Sequence, residues 1–143
     1  MIAIDTNVLV YAHREGTAEH ESAFEVLSEA VQRPEGAGIA LASIAEYWSV
    51  VTDSRHPGGA SSNAAAVAFI DYLLKEWSMT IWTPSAGFGE RLMRWASSLR
   101  VKGTRIFDLQ IAVTCIEHGA REIWTYDRHF TAPPGIRVKH LKS

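Results

Sequence analysis

The chain has 143 residues, of which 47% are hydrophobic and 21% are charged, and its formal net charge is −2. This length suits one domain spanning residues 1–143, and the composition is that of a soluble globular protein with a buried core. No apolar run approaches the length of a membrane span, so we expect no contact with a membrane. The single cysteine, Cys115, excludes an internal disulfide and fits a cytoplasmic location.

Short β-like runs alternate with longer helical patterns along the chain. The predicted strands are residues 2–4, 39–42, 80–83, 122–125 and 136–138. The predicted helices are residues 6–13, 19–32, 43–51 (with Ser43 as its N-cap), 61 or 62 to 77, 86–99 and 106–117. This alternation predicts an α/β fold, in which helices flank a central, mostly parallel sheet of four or five strands. Ligands of such sheets bind beyond the carboxyl ends of the strands, at a switch in strand order.

Four acidic residues fall where this rule places chemistry. Asp5 ends the first strand, and Asp127 follows the fourth. Glu46 lies in the helix after the second strand, and Asp108 is the only charged residue between Ile106 and Ile116, in a mostly apolar helix. If the first and fourth strands are neighbours, all four acids can converge on one pocket.

Each acid also has an ordinary structural explanation. Asp5 could cap a helix, Glu46 could complete a capping box with Ser43, Asp108 could face a helix dipole, and Asp127 could begin a turn. Four such acids together are harder to explain, because burial is costly for a carboxylate and repulsion raises the pKa of its neighbours. A hard divalent cation, Mg²⁺ or Mn²⁺, is the usual remedy.

Other chemistries have weaker support in the sequence. The six histidines show no close ligand pairing for zinc, and no glycine-rich nucleotide-binding loop or nucleophile elbow occurs. Cys115 lies within an apolar helical pattern and is expected in the core.

Four segments carry a resemblance to a known family, the PIN domains. They are residues 5–9 (DTNVL), 44–48 (IAEYW), 106–112 (IFDLQIA) and 125–130 (TYDRHF). Each resembles one PIN motif, and their order and spacing fit over nearly the whole chain. The length, without an appended domain, is similar to that of VapC-type toxins of type II toxin–antitoxin systems.

The resemblance implies a Rossmann-like PIN fold and an endoribonuclease that needs one or two Mg²⁺ or Mn²⁺ ions. It implies that Asp5, Glu46, Asp108 and Asp127 bind the metal and that polar neighbours orient them; these neighbours are Thr6, Asn7 and Thr125. It further implies a homodimer and a cognate antitoxin that covers the groove. Such a toxin cleaves cellular RNA, such as tRNA, rRNA or mRNA, and so inhibits translation and growth.

The expected reaction is the attack of a metal-activated water on an RNA phosphorus, which leaves a 5′-phosphate and a 3′-hydroxyl. Basic residues near the motifs are candidates for contacts with the RNA backbone, although exposed solubilising charge explains each of them equally well. These candidates are Lys102, Arg105, Arg128 and His129.

Three alternatives remain open at this point. A receiver-like signalling domain also uses acids at strand ends to hold Mg²⁺, but it pairs acids near its first strand, where Asp5 stands alone. An aspartate-nucleophile phosphatase usually has Asp-x-Asp where this chain has Asp5-Thr6-Asn7. The third alternative is a catalytically silent PIN scaffold, against which the full set of four acids argues.

Overall fold

The structure is a computed structural model that describes residues 1–56 and 58–142. Its strands are β1 (Ile2–Ile4), β2 (Ala37–Ala40), β3 (Thr80–Trp82), β4 (Glu122–Thr125) and β5 (Arg137–His140). Its helices are α1 (Thr6–His13), α2 (His20–Val31), α3 (Leu41–Val51), α4 (Asn63–Lys75), α5 (Phe88–Ser98) and α6 (Arg105–Glu117). None of the helices in the described part of the chain is long and apolar enough to cross a membrane.

All five strands pair in parallel, in the order β3-β2-β1-β4-β5. The chain builds outwards from β1 to β2 and β3, and then returns to the opposite side of β1 for β4 and β5. Ile4 of β1 lies in register with Trp124 of β4. The switch in strand order therefore lies between β1 and β4, where parallel sheets bind their ligands. The prediction of an α/β fold with a parallel sheet is confirmed.

The sheet is buried on both faces, which explains why strands β1 (IAI) and β2 (AGIA) are apolar throughout. Side chains alternate between faces along each strand. Ile2 and Ile4 therefore pack in the cluster that includes α1, α2, α3 and α4, whereas Ala3 packs in the cluster with α6. Cys115 is completely buried in this second cluster, as the sequence predicted.

The second strand and the helix after it begin earlier than predicted, and the predicted N-cap was wrong. Strand β2 begins at Ala37 instead of residue 39, and α3 follows it directly, with Ala40 as the N-cap. Ser43 consequently lies inside the helix, completely buried, and its hydroxyl has no hydrogen-bond partner among the described residues. The capping-box explanation for Glu46 is wrong for the same reason.

Smaller differences occur at other element ends. Strand β5 covers Arg137–His140 instead of residues 136–138, and β3 ends at Trp82. Helix α5 begins only at Phe88, because Gly87 before it has a φ of 80° and so lies outside the helix.

Candidate active site

The four predicted acids line one cavity at the carboxyl ends of β1 and β4. This cavity has a volume of about 310 Å³. Its lining consists of Asp5, Thr6, Asn7, Val10, Tyr11, Glu46, Val50, Asp108 and Asp127. The structure therefore brings together all the predicted acids, and it does so at the switch in strand order.

Asp5 is the most rigidly held of the four acids. It is buried, with 6% of its surface exposed, and it serves as the N-cap of α1. Its Oδ1 accepts the Thr6 main-chain N–H at 2.8 Å, and its Oδ2 accepts the Thr125 hydroxyl at 2.7 Å. Its own main-chain N–H donates to the carbonyl oxygen of Trp124 at 3.1 Å. The capping role thus exists, and it fixes the carboxylate towards β4.

Asn7 and Thr125 tie the first turn of α1 to the end of β4. The Asn7 amide nitrogen donates to the Thr125 hydroxyl oxygen at 3.1 Å, and its amide oxygen accepts the Tyr126 main-chain N–H at 3.0 Å. The Asp127 main-chain N–H donates to the same Thr125 oxygen at 3.0 Å. These bonds set the position of Asp127 relative to Asp5, which is the orienting role that the resemblance implies for Asn7 and Thr125.

The other three acids come from separate elements. Glu46 lies on α3 and accepts the Thr6 hydroxyl at 3.1 Å. Asp108 lies in the first turn of α6. Asp127 lies in a turn after β4, where its Oδ1 accepts the His129 main-chain N–H at 2.8 Å. The local roles of Asp108 and Asp127 therefore coexist with their convergence on the cavity, whereas Glu46 lines it without a capping role.

The electrostatics of the cavity disfavour ionised carboxylates. Burial raises the pKa of Asp5 to about 6, against the hydrogen bonds from Thr125 and Thr6 and with help from the charges of Glu46 and Asp127. Burial also raises the pKa of Asp108 to about 6, with additional repulsion from Asp5 and Asp127. The pKa of Glu46 is raised mainly by burial too. The cluster thus carries negative charge that the protein itself compensates poorly.

Two of the four predicted RNA-contact residues lie at this site. Arg105 and His129 line a second cavity, of about 390 Å³, together with Asp108 and Asp127. The Arg105 guanidinium donates a hydrogen bond to the main-chain carbonyl of His129. Lys102 and Arg128 are exposed and line neither of these two cavities.

The donor set fits a hard divalent cation in its chemistry, although it does not form a closed cage. Across residues 1–56 and 58–142, no group of three or more His, Cys, Asp or Glu side chains is arranged to hold a metal ion. Mg²⁺ commonly uses only one or two carboxylates and keeps several waters. An open set of carboxylates with raised pKa values is consistent with that mode of binding.

Three cavity residues escaped the sequence analysis. Val10, Tyr11 and Val50 line the same cavity as the acids. Val10 and Tyr11 continue the apolar pattern of α1 and therefore look like core residues in the sequence. For Tyr11, the signal that could have indicated its place in the cavity is its spacing, because residue 11 lies one helical turn after Asn7.

Comparison with known proteins defines the class to which this fold and site belong. The family model for the PIN domain matches residues 2–135. The chain therefore belongs to the PIN domain family, as its four motifs had indicated. Because the chain belongs to this family, the receiver-like and phosphatase alternatives are excluded.

Proteins to which this chain is similar are named as VapC. The chain is 28% identical over 140 residues to "Ribonuclease VapC43" of Mycobacterium tuberculosis, covering 98% of this chain and 95% of that one. Its fold matches the crystal structure of M. tuberculosis VapC20, a Sarcin-Ricin loop cleaving toxin, with a TM-score of 0.67, 18% identity and coverage of 91% and 92%. It also matches VapBC2 from Rickettsia felis, bound to a DNA fragment from its promoter, with a TM-score of 0.68, 20% identity and 98% coverage of both chains.

Proposed function

We propose that this protein is a metal-dependent endoribonuclease and the toxin of a VapBC-type toxin–antitoxin pair. The observation that carries this proposal is the convergence of four carboxylates on one cavity at the strand-order switch, two of them with a pKa near 6. A relative of nearly the same length is named a ribonuclease, and a structural neighbour is described as an RNA-loop-cleaving toxin. These names support RNA as the substrate class, with tRNA, rRNA and mRNA as the candidates.

Asp5, Glu46, Asp108 and Asp127 are the residues that would hold one or two Mg²⁺ or Mn²⁺ ions. Such an ion, when bound, lowers the pKa of water, stabilises charge on phosphoryl oxygens and reverses the sign of the local field that repels RNA. The protein holds Asp5 in place through Thr125 and the Thr6 N–H, so this carboxylate needs no reorganisation.

The polar neighbours of the acids position them, and basic residues at the edge of the cavities contact the substrate. Thr6 links Asp5 to Glu46 through its main-chain N–H and its hydroxyl. Asn7 fixes the backbone that carries Asp127. Arg105 and His129, at the edge of the acidic cavities, are placed to contact RNA phosphates. Lys102 and Arg128 would extend this contact only for a longer stretch of RNA.

The proposed partners are a second copy of the chain and an antitoxin. Large apolar side chains are exposed on α3 and α6, which contact each other: Leu41, Trp48 and Phe107, exposed by 46%, 40% and 54%. Exposed aromatic residues are typical of protein interfaces. A change of Trp48 to Ser, followed by light scattering on a size-exclusion column, tests this surface: we expect the variant to shift from dimer to monomer. Unchanged mass would place the dimer contact elsewhere.

Cleavage of total bacterial RNA tests the proposed activity. We expect the purified protein with Mg²⁺ or Mn²⁺ to produce discrete fragments that vanish with EDTA and with Asp5→Asn. Asp71→Asn is a matched control, because Asp71 lies exposed on α4, paired loosely with Lys75. Fragment ends should carry a 5′-phosphate and a 3′-hydroxyl. A 2′,3′-cyclic phosphate would contradict the mechanism, because the 2′-hydroxyl would then be the nucleophile.

The same assay separates this function from the silent-scaffold alternative. If wild type and Asp5→Asn cut equally, the cleavage comes from a contaminant. If the folded protein, freed of any bound antitoxin, cuts no RNA with either metal, the scaffold alternative replaces the proposed function.

A further inference from the structure

The cavity of the acids has an apolar wall that metal chemistry leaves unused. Val10, Tyr11 and Val50 line it beside the four carboxylates. Cation binding and phosphate chemistry need oxygen donors, which these three side chains do not offer, apart from the Tyr11 hydroxyl. The cavity therefore combines two parts. The carboxylates, with a bound cation, would suit a phosphodiester, and the apolar wall suits a flat or aliphatic group.

The Tyr11 ring is held by a second aromatic residue from the site. The rings of Tyr11 and Tyr126 meet edge to face, with centroids 5.3 Å apart and an interplanar angle of 83°. Tyr126 is anchored by its main-chain N–H to the Asn7 amide oxygen at 3.0 Å and by its hydroxyl to Ser22 at 3.3 Å. Edge-to-face contact fixes the orientation of an aromatic ring. Tyr11 is thus a preorganised surface within the cavity.

The hydroxyl of Tyr11 also lacks an internal role. Among the described residues, no hydrogen bond to this hydroxyl occurs, and the side chain is only partly buried. A tyrosine that serves the core alone would normally hide its ring and pair its hydroxyl. Tyr11 instead lines the cavity with its side chain only partly packed against the core, and its hydroxyl has no hydrogen-bond partner among the described residues.

We propose that Tyr11, supported by Tyr126, stacks an unpaired nucleobase of the RNA next to the phosphate held at the cation site that the acids would form. Single-stranded RNA is recognised largely by stacking its splayed bases on aromatic side chains. The tyrosine ring accepts any base by its π-face, so the wall selects single-stranded over paired RNA more than it selects one base. This inference rests on the proposed function, since it assigns the substrate's base to the same cavity.

Binding of two RNAs by three protein variants tests the stacking directly. Tyr11→Leu and Tyr11→Phe are made in an Asp108→Asn background, so that the RNA stays intact, with Mg²⁺ present. The probes are a fluorescently labelled adenosine octamer (rA8) and the same ribose-phosphate octamer without bases. We expect Tyr11→Leu to weaken rA8 binding by about 5-fold to 150-fold, the range for loss of one stacked base. Tyr11→Phe should retain the affinity, and the octamer without bases should bind all three proteins equally.

Two controls keep the result interpretable. Tyr72→Leu, in the same background, changes an exposed tyrosine on α4 that lines neither acidic cavity, and it should not change rA8 binding. Thermal melting shows whether each variant is folded. Equal loss for the two octamers, or no loss for rA8, would overturn the stacking proposal and leave the apolar wall to a protein partner or to the core.

Cleavage by the otherwise wild-type protein is measured in parallel, so that the two proposals fail separately. Base-dependent binding through Tyr11 without any cleavage would overturn the nuclease function and support the stacking of a nucleobase on Tyr11. Cleavage with base-independent binding would overturn only the stacking proposal.

Discussion

Two charged regions meet at strand β4. One of them pairs charges of opposite sign, and the other brings carboxylates together. Around Trp124, two cations lie over a completely buried ring: the Arg33 guanidinium carbon is 5.4 Å and the Lys139 ammonium nitrogen 4.0 Å from its centroid. Glu29 lies close to both cations, at 3.1 Å and 3.8 Å. Around the next residue, Thr125, the ionised groups are nearly all carboxylates, and burial raises the pKa values of two of them, Asp5 and Asp108.

The difference distinguishes a structural cluster from a functional one. The charges around Trp124 are of opposite sign and pair with one another, since Glu29 lies close to both Arg33 and Lys139. The acids around Thr125 gather like charges at a cost in folding free energy, which protonation lowers and which a bound cation would relieve at neutral pH. A structure tolerates such a cost where function requires it.

The largest effect that separates the two regions is expected from Trp124→Leu. The change removes a fully buried aromatic ring and both cation–π contacts, so the free energy of unfolding should fall by about 2–3 kcal/mol. Urea unfolding measures this value. The matched change Trp48→Leu, at a 40% exposed position, should cost less than about 0.5 kcal/mol under monomeric conditions. Equal losses for the two variants would mean that the Trp124 cluster adds little to stability.

The acidic region should show the opposite behaviour, since removing one of its charges stabilises the metal-free protein. The pKa of Asp108 is about 6 in the folded state and near 3.8 when unfolded, so the folded protein holds this proton more tightly. Stability is therefore lost as pH rises from about 4 to 6, and the loss is complete above that window. In EDTA at pH 7.5, Asp108→Asn should raise the free energy of unfolding by roughly 1 kcal/mol, discounted because Asp108 is partly exposed.

At pH 3.5 the same variant and the wild type should unfold with nearly equal stability, since Asp108 is then mostly protonated in both states. Unfolding in EDTA at the two pH values provides the comparison. A variant that is less stable than wild type at pH 7.5 would show that the Asp108 carboxylate is compensated within the protein, against our description of the site.

The smallest expected effect concerns one cation over Trp124. Lys139→Met keeps an unbranched apolar side chain but removes the charge from the ring and from Glu29, and it should cost about 0.5–1 kcal/mol. Lys142→Met is the control on an exposed lysine, and it should change nothing measurable in urea unfolding. If both variants match the wild type, burial of the ring alone stabilises this cluster.

The sequence reveals most of the fold because its hydrophobic periods are distinct. Alternation of strands and helices predicts the parallel sheet. The convergence of the four acids is conditional on the first and fourth strands being neighbours, and the pairing of β1 with β4 meets that condition. The start of α3 misleads, because Ser43 and Glu46 have capping-box spacing, whereas β2 ends at Ala40 and the helix follows without a side-chain cap. Local patterns do not record where tertiary packing ends a strand.

Some residues of the candidate site could likewise be predicted from the sequence, and others could not. Carboxylates in an apolar context are visible in a sequence, since burial of charge is costly anywhere. Tyr11 and Val50 look like ordinary core residues, and only the packing of α1 beside α3 exposes them in the cavity. The contact between Arg105 and the His129 carbonyl joins residues 24 positions apart, which no local pattern predicts.

Binding of Mn²⁺, followed by calorimetry on the wild type and on Asp5→Asn, tests most directly whether the uncompensated acids serve a cation. We predict saturable binding of one or two ions to the wild type and to the surface control Asp71→Asn, and loss of that binding in Asp5→Asn. No binding to the folded wild type, or equal binding to Asp5→Asn, would contradict the account.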